Sequence, residues 1–435
     1  MNLRWDHVKK LSRPLGLFAG RTFFILKKGV KRMKWNRSLP SGTKDKLFKE
    51  ANGAYEVEKE VHALLKKRGY QRIETPVIEF ADVFHSKDHN EKDYYRFFDQ
   101  KGRLLVLRPD MTLPIGRVIA TAGLNLPLKL SYSGKIFRFN DEMLGEKNEV
   151  TQAGIELIGY ASLKAEIECI VCAADLLETL KIPNFHFELG HAKIFRLIIA
   201  KLQLNEAEKA ELQLYFSNKS LTDLRRFTQQ HPSELDAFIR AIPTLFGEVE
   251  QVTAAARSLL PENSELLHVI EELEILARMI QQQRSLSLTV DLGLIVLMDY
   301  YTGVLFSGYA DLVPETFLQG GRYDQLTEQF GHKNIPAVGW GITLDTLVSL
   351  LYRLDQLASL EQPTTLVFSS LKQMKKAQQL VSENEGYQLS LFDSLAETQK
   401  YAQQWHYQQI IQLTEEQLSV IKVGDDDDTL DHSIN

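Results

Sequence analysis

The sequence predicts an α+β protein: one large antiparallel sheet flanked by helices, with a helical insertion and a small C-terminal α/β unit. Three observations lead there. Several strand-like runs are joined by short turns rather than by crossover helices, which suits antiparallel pairing. Between His191 and Arg284 the apolar spacing changes to a helical period. After Leu360 strand and helix patterns alternate. At 435 residues the chain exceeds one ordinary core, so two or more domains are expected.

From the beginning, residues Met1 to Arg37 hold eleven lysines and arginines against one acid, Asp6, with a short apolar patch at Leu15–Leu26. They read as an overextended start, with Met33 the initiator, or as a disordered tail, rather than as a targeting segment. The turn Leu39-Pro40-Ser41-Gly42 opens the folded region. A helix over Lys44–Lys67 follows, with Ala54, Val57, Val61, Leu64 and Leu65 spaced for one face and Gly69 as its stop. Tyr70–Thr75 reads as a strand with Pro76 marking its edge. Further strands are expected at Leu104–Leu107, Leu128–Phe139, Val150–Tyr160, His186–Leu189, Leu286–Val296, Tyr300–Tyr309 and Ala337–Ile342. In the insertion, Leu266, Ile270, Leu273, Ala277 and Ile280 form a helix with Asn263 as its cap. In the C-terminal unit, strands at Thr365–Ser369, Tyr387–Phe392 and Gln409–Leu413 alternate with helices at Lys372–Ser382 and Ser394–Gln404. Asp425–Asp428 mark a solvated acidic tail. The expected organisation is thus a basic extension over 1–37, a core over 38–360 with its insertion at about 191–284, a small unit over 361–423 and a tail over 424–435.

Composition excludes several function classes. Hydrophobic residues make up 44% and charged residues 25%, as in ordinary soluble proteins, and the formal net charge of -6 gives no basic excess for nucleic acid. No run is long and apolar enough to span a bilayer. The two cysteines, Cys169 and Cys172, exclude a disulfide framework and fit a reducing cytoplasm. Their spacing would suit a redox or zinc pair. Their setting, the apolar helical run Ile167–Leu180, suits two small core residues better.

Four segments carry polar groups at places where chemistry is plausible. Arg108-Pro109-Asp110-Met111-Thr112 stands at a strand end and helix start, where Asp110 and Thr112 project oxygens; a plain helix cap explains them equally. On the strand Gln152-Ala153-Gly154-Ile155-Glu156, alternation puts Gln152, Gly154 and Glu156 on one face. Polar groups on an inward face need partners, and Gly154 would let a ligand approach the sheet; a solvent-facing strand is the bland alternative. In Asp299-Tyr300-Tyr301, adjacent tyrosines on a strand would point to opposite faces, one into the core and one toward a ligand. Gly320-Gly321-Arg322-Tyr323-Asp324 and Val338–Asp345 read as glycine-rich junctions between strand and helix. Neither has a phosphate-loop pattern, and tight turns alone would account for them.

In order and spacing, from about Leu39 to Leu350, these segments resemble the histidyl-tRNA synthetase family. The Pro76 strand looks like class II motif 1 and Phe137–Gly159 like motif 2. Asp299–Gly303 and Gly320–Asp324 look like the two histidine-specific motifs, and Val338–Asp345 sits where motif 3 should be. The resemblance implies a class II aminoacyl-tRNA synthetase-like fold, dimerised through the motif 1 region. It implies that Asp110, Thr112 and Gln152 hold a ligand ammonium, that Glu156 and Tyr301 hold an imidazole, and that Arg138 is the retained motif 2 arginine. Tyr300 joins them as a candidate. The chemistry agrees: a carboxylate suits an ammonium, and a carboxylate with a phenol satisfies both ring nitrogens. Asp110 stands where the synthetases usually have Glu, which shortens the reach by one methylene.

Other departures bear on activity. Later in motif 2, where more arginines are expected, the chain reads Gly145-Glu146-Lys147-Asn148. Val296 and Thr346 stand where two further arginines are expected. Removing one preorganised charged donor costs roughly a hundred- to a thousandfold in rate, so three losses describe a site that does not activate its amino acid. The C-terminal unit is too short for a full anticodon domain, and its acidic tail opposes a polyanion. This combination is similar to the ATP phosphoribosyltransferase regulatory subunits, of which Arg108–Thr112 and Gln152–Gly159 are characteristic. That resemblance implies a non-catalytic chain working with a short catalytic phosphoribosyltransferase subunit in a hetero-octamer. It also implies histidine as feedback effector in the first step of histidine biosynthesis, a cytoplasmic setting, no cofactor or metal, and no tRNA. Two other readings stay open: an aminoacylating enzyme with an atypical site, and a free-standing histidine-sensing module.

Overall fold

A computed structural model describes residues 37–84, 94–139, 147–294, 300–357, 363–415 and 417–424. Most of the basic extension, Gly145, Glu146, Val296, Asp299 and the tail beyond Gly424 lie outside the described residues.

Helix α1 (Phe48–Lys67) buries Val57, Val61 and Leu65, one residue per turn on one stripe. It begins later than its periodicity suggests. Leu47 is extended, and just before it Lys44 pairs with Glu50 and Lys46 with Asp345. Gly69 ends the helix at φ +80°, a conformation that costs glycine little. Four short strands follow: β1 (Gln71–Arg72), β2 (Ile78–Phe80), β3 (Arg96–Phe98) and β4 (Leu104–Leu107). β1 is shorter than the expected Tyr70–Thr75. Pro76 has no donor, and the Thr75 carbonyl is taken by the Arg108 guanidinium at 2.6 Å. Strands β2, β4 and β3 make a separate three-stranded antiparallel sheet.

After α2 (Thr112–Thr121) comes the expected hairpin, β5 (Leu128–Phe137) and β6 (Glu149–Ile158). Then α3 (Lys164–Thr179) leads to β7 (Phe185–His191). The helical stretch consists of α4 (Ala192–Leu202), α5 (Glu206–Ser217), α6 (Leu221–Gln230), α7 (Asp236–Ala241), α8 (Val249–Leu259) and α9 (Glu265–Gln283), with a short β8 (Phe246–Gly247) among them. Ser264, not Asn263, caps α9, because its hydroxyl accepts from the Leu266 amide. Strand β9 (Leu288–Asp291) stops well short of Val296: the Asp291 carboxylate accepts from Gly293 N–H at 2.8 Å and turns the chain. Then come β10 (Val304–Ala310), β11 (Val313–Arg322), β12 (Ala337–Thr343) and α10 (Leu344–Arg353).

The main sheet has nine strands in the order β1-β5-β6-β12-β11-β10-β7-β9-β8. Its centre, from β5 across to β7, is antiparallel throughout, while β1 joins β5 and β9 joins β7 in parallel. Alternation gives the sheet two faces. Ala153, Ile155 and Leu157 of β6 and Val338, Trp340 and Ile342 of β12 pack into the core shared with α1, α3, α9 and α10. Leu130, Tyr132 and Ile136 of β5 belong to a smaller core on the opposite side, with Met111, Leu113 and Tyr323.

The C-terminal residues form β13 (Thr365–Ser369), α11 (Met374–Glu383), β14 (Tyr387–Leu389), α12 (Leu395–Gln404), β15 (Gln409–Leu413) and β16 (Leu418–Lys422). Their sheet order is β14-β13-β15-β16, with the first three parallel. The alternation of strand and helix was legible; the antiparallel edge strand β16 was not. Among the described residues no helix is long and apolar enough to cross a membrane.

Candidate functional site

The smaller-core face of β6 and β12 floors a cavity of about 120 Å³, the scale that accommodates a small ring. Asp110 and Thr112 come from the entrance of α2, Gln152 and Glu156 from β6, Arg138 from just past β5, and Tyr300 and Tyr301 from the approach to β10. All of these sequence-predicted residues line this one cavity.

Glu156 is its electrostatic centre. The side chain is only 1% exposed. Thr112 Oγ1 donates to Oε1 at 2.9 Å, and the Tyr323 hydroxyl donates to Oε2. Burial pushes the carboxyl up to about 8, against the pull of those two hydrogen bonds, and neighbouring Asp110 adds to the rise. At neutral pH the cavity therefore favours the protonated acid. A ligand offering N–H donors or positive charge would draw it to ionise.

Asp110 serves the helix and the cavity together. Its Oδ1 accepts from Leu113 N–H at 2.9 Å, so the capping role is real, yet the side chain also faces the cavity. The preceding Arg108 is buried and positions this loop. It donates to the Lys135 carbonyl at 2.8 Å as well as to Thr75. Arg138 is anchored by one donor, Nε, on the Pro109 carbonyl at 3.0 Å. Among the described residues lining the cavity it is the one cation.

The tyrosine pair departs from expectation. Tyr300 and Tyr301 precede β10 and are not on a strand, so they do not alternate faces. Their rings lie 4.7 Å apart, and each stands edge-on to Tyr323, at 5.7 and 6.5 Å. Together the three form one aromatic wall. Gly154 also has a different role from the one expected. A Cβ there would stand 2.4 Å from the Tyr132 hydroxyl, so it makes room for a protein side chain. Across the ladder, a Cβ on Gly339 would lie 1.8 Å from Glu156 Oε2, which makes that glycine the clearance for the buried carboxylate.

Sequence reasoning missed β11 and several cavity residues. Gly320 and Gly321 lie inside β11, facing Trp340 and Gly339 of β12, rather than at a junction with a helix. Thr316 and Gln319 of β11, Tyr132, Tyr323 and Thr343 also line the cavity. Tyr323 stood inside a quoted motif, but nothing in the chain paired its phenol with Glu156. Arg322 of the same motif points elsewhere, donating to Glu166 of α3 at 2.7 Å.

Of the described positions associated with activation, Thr346 is neutral, whereas Lys147 of the later motif 2 loop is a cation. Thr346 lies in the first turn of α10, whose entrance residue Thr343 borders the cavity. Asn148 is buried and bonded to the Ser41 carbonyl and the Tyr95 hydroxyl, a structural role. Cys169 and Cys172 lie fully buried in the core on α3, and burial pushes the Cys172 thiol up to about 12, which makes it unreactive. Among the described residues no cluster of three or more His, Cys, Asp or Glu is arranged to hold a metal.

Comparison with known proteins agrees with this fold. A family model described as histidyl-tRNA synthetase matches residues 42–347. The ATP phosphoribosyltransferase regulatory subunit of Listeria monocytogenes serotype 4b (strain F2365) is 46% identical over 389 residues, covering 89% of this chain and 98% of that one. The crystal structure of an ATP phosphoribosyltransferase regulatory subunit/histidyl-tRNA synthetase from Bacillus halodurans C superposes with a TM-score of 0.74 at 26% identity, covering 86% of this chain and 98% of that one. A histidyl-tRNA synthetase from Nostoc sp. PCC 7120 shares the fold, with a TM-score of 0.68 at 20% identity over 89% of this chain and 95% of that one. The synthetase-like sheet, with identity of this extent along nearly the whole relative, means that the chain belongs to the ATP phosphoribosyltransferase regulatory subunit family, a non-catalytic member of an enzyme complex on a class II synthetase fold.

Proposed function

We propose that this chain binds histidine in the Glu156 cavity and makes a short catalytic ATP phosphoribosyltransferase subunit both active and sensitive to histidine. The observation that carries the reading is a carboxylate buried to 1% exposure, held by Thr112 and Tyr323 and facing Tyr300 and Tyr301. An imidazole offers two ring nitrogens, which Glu156 and the Tyr301 phenol satisfy together. Asp110, Thr112 and Gln152 then take the ammonium. The neutral Thr346, with Arg138 as the remaining cation, suits binding without activation.

Regulation follows by linkage. Histidine favours the arrangement of the complex to which it binds more tightly, and the effect on activity is bounded by that difference in affinity. The assembly proposed is a cytoplasmic hetero-octamer in which this chain self-associates through the motif 1 region; tRNA has no part in it. The test is to mix the chain with a short catalytic subunit and measure phosphoribosyl-ATP formation with and without histidine, then repeat with Glu156→Ala. The expected result is activity that needs this chain, inhibition by histidine, and loss of inhibition in the variant. Histidine that changes neither turnover nor substrate affinity would sink the proposal. Histidine-dependent exchange between ATP and pyrophosphate would instead favour an aminoacylating enzyme.

A further inference from the structure

We propose that the Tyr132 hydroxyl is a ligand-contacting group of this cavity and donates a hydrogen bond to the carboxylate of the bound amino acid. This rests on the histidine reading above and extends it to the end of the ligand that has lost its expected arginines.

Tyr132 is 1% exposed and lines the cavity. It sits on β5 directly opposite Gly154 of β6. A Cβ placed on Gly154 would meet its hydroxyl at 2.4 Å, and one on Gly341 would meet it at 3.1 Å and Gln152 Nε2 at 2.7 Å. The hydroxyl and the Gln152 amide therefore converge over Gly341, while Glu156 lies over Gly339 one step along the same strand. Tyr132 thus stands between the group that reads the ring and the group assigned to the other end of the ligand.

No hydrogen bond to this hydroxyl occurs among the described residues, although Glu156, Tyr323 and Thr112 around it are all paired. A buried phenol facing a cavity without a partner is costly unless a ligand or water supplies one. Burial and the nearby Glu156 and Asp110 carboxylates oppose its ionisation, so it remains a donor in need of an acceptor. A bound histidine offers few. Its ammonium only donates, and its ring is met by Glu156 and Tyr301. Its carboxylate only accepts. Arg138, fixed through Nε on the Pro109 carbonyl, keeps its terminal nitrogens for the same group.

The test compares two ligands on two proteins. Full-length wild type and Tyr132→Phe are titrated calorimetrically with L-histidine and with L-histidinol, which has an alcohol in place of the carboxylate. Phenylalanine keeps the ring over Gly154 and removes only the oxygen; an unchanged thermal midpoint verifies the fold. The expected result is about tenfold weaker histidine binding in the variant, with histidinol affinity changed less than about twofold. Equal losses for both ligands, or no loss for either, overturn the assignment to the carboxylate. A wild-type chain that binds no histidine overturns the functional reading itself and this proposal with it, whereas wild-type binding matched by the variant overturns this proposal alone.

Discussion

Strand β6 presents two faces that are equally buried and physically opposite. Ile155 is fully buried against the helices, and Glu156, the next residue, is 1% exposed on the other side of the sheet. Burial of Ile155 stabilises the fold by removing apolar surface from water. Burial of Glu156 opposes folding of its charged form, and two hydrogen bonds offset only part of that cost. Stability alone would have favoured an apolar residue at both positions. Buried polarity retained on one face is therefore the mark of the site, and burial by itself is not.

Exchanging one residue on each face separates their two roles most strongly. Glu156→Gln keeps the shape and loses the charge, so histidine affinity should fall by a hundredfold or more, on the order of 3 kcal/mol for a buried charge-assisted contact. Ile155→Ala should do the reverse. It should cost about 2–5 kcal/mol of stability in urea unfolding and leave affinity within about twofold. If Ile155→Ala weakened binding as much as Glu156→Gln in protein that remains folded, the two faces would not be separable.

This division was partly legible in the sequence. The run Gln152-Ala153-Gly154-Ile155-Glu156 alternates without a break, so its pairing of one apolar with one polar face could be read directly, and its hairpin with β5 followed. β11 was hidden by its own clearances. Gly320 and Gly321 are glycines because Phe306 and Tyr301 occupy the space a Cβ would need, and two glycines in a row read as a turn. Tyr300 and Tyr301 looked like strand residues, although the strand begins only at Val304. Tyr132 gave no signal at all, because an aromatic residue in a strand usually means core. Only the cross-strand register with Gly154 turns its hydroxyl into part of the cavity.

A pH series probes the polar face alone without changing the ligand. The folded protein holds the Glu156 proton up to about 8, whereas the unfolded chain releases it near the ordinary value of 4.5. The folded state thus binds more protons between those values. The contribution is fully present below 4.5 and is lost as pH rises through about 8, at up to roughly 1.4 kcal/mol per pH unit and on the order of 5 kcal/mol in all. Glu156→Gln has no proton to lose. Its unfolding midpoint, measured beside wild type from pH 5 to 9, should gain steadily on the parent. A constant difference across that range would mean that Glu156 does not titrate as its burial implies.

The smallest of these effects isolates one hydrogen bond. Thr112→Val preserves the branched shape at the entrance of α2 and removes the donor 2.9 Å from Glu156 Oε1. That donor favours the ionised carboxyl, so its loss should move the Glu156 titration above the parent value and make ionisation on ligand binding harder. The same hydroxyl is assigned to the ligand ammonium. Both changes act in one direction, and histidine affinity at neutral pH should fall about tenfold, with the deficit shrinking as pH rises and Glu156 ionises without help. Binding equal to wild type at every pH would show that Tyr323 alone suffices to hold the carboxylate, and that the entrance of α2 closes the cavity without taking part in recognition.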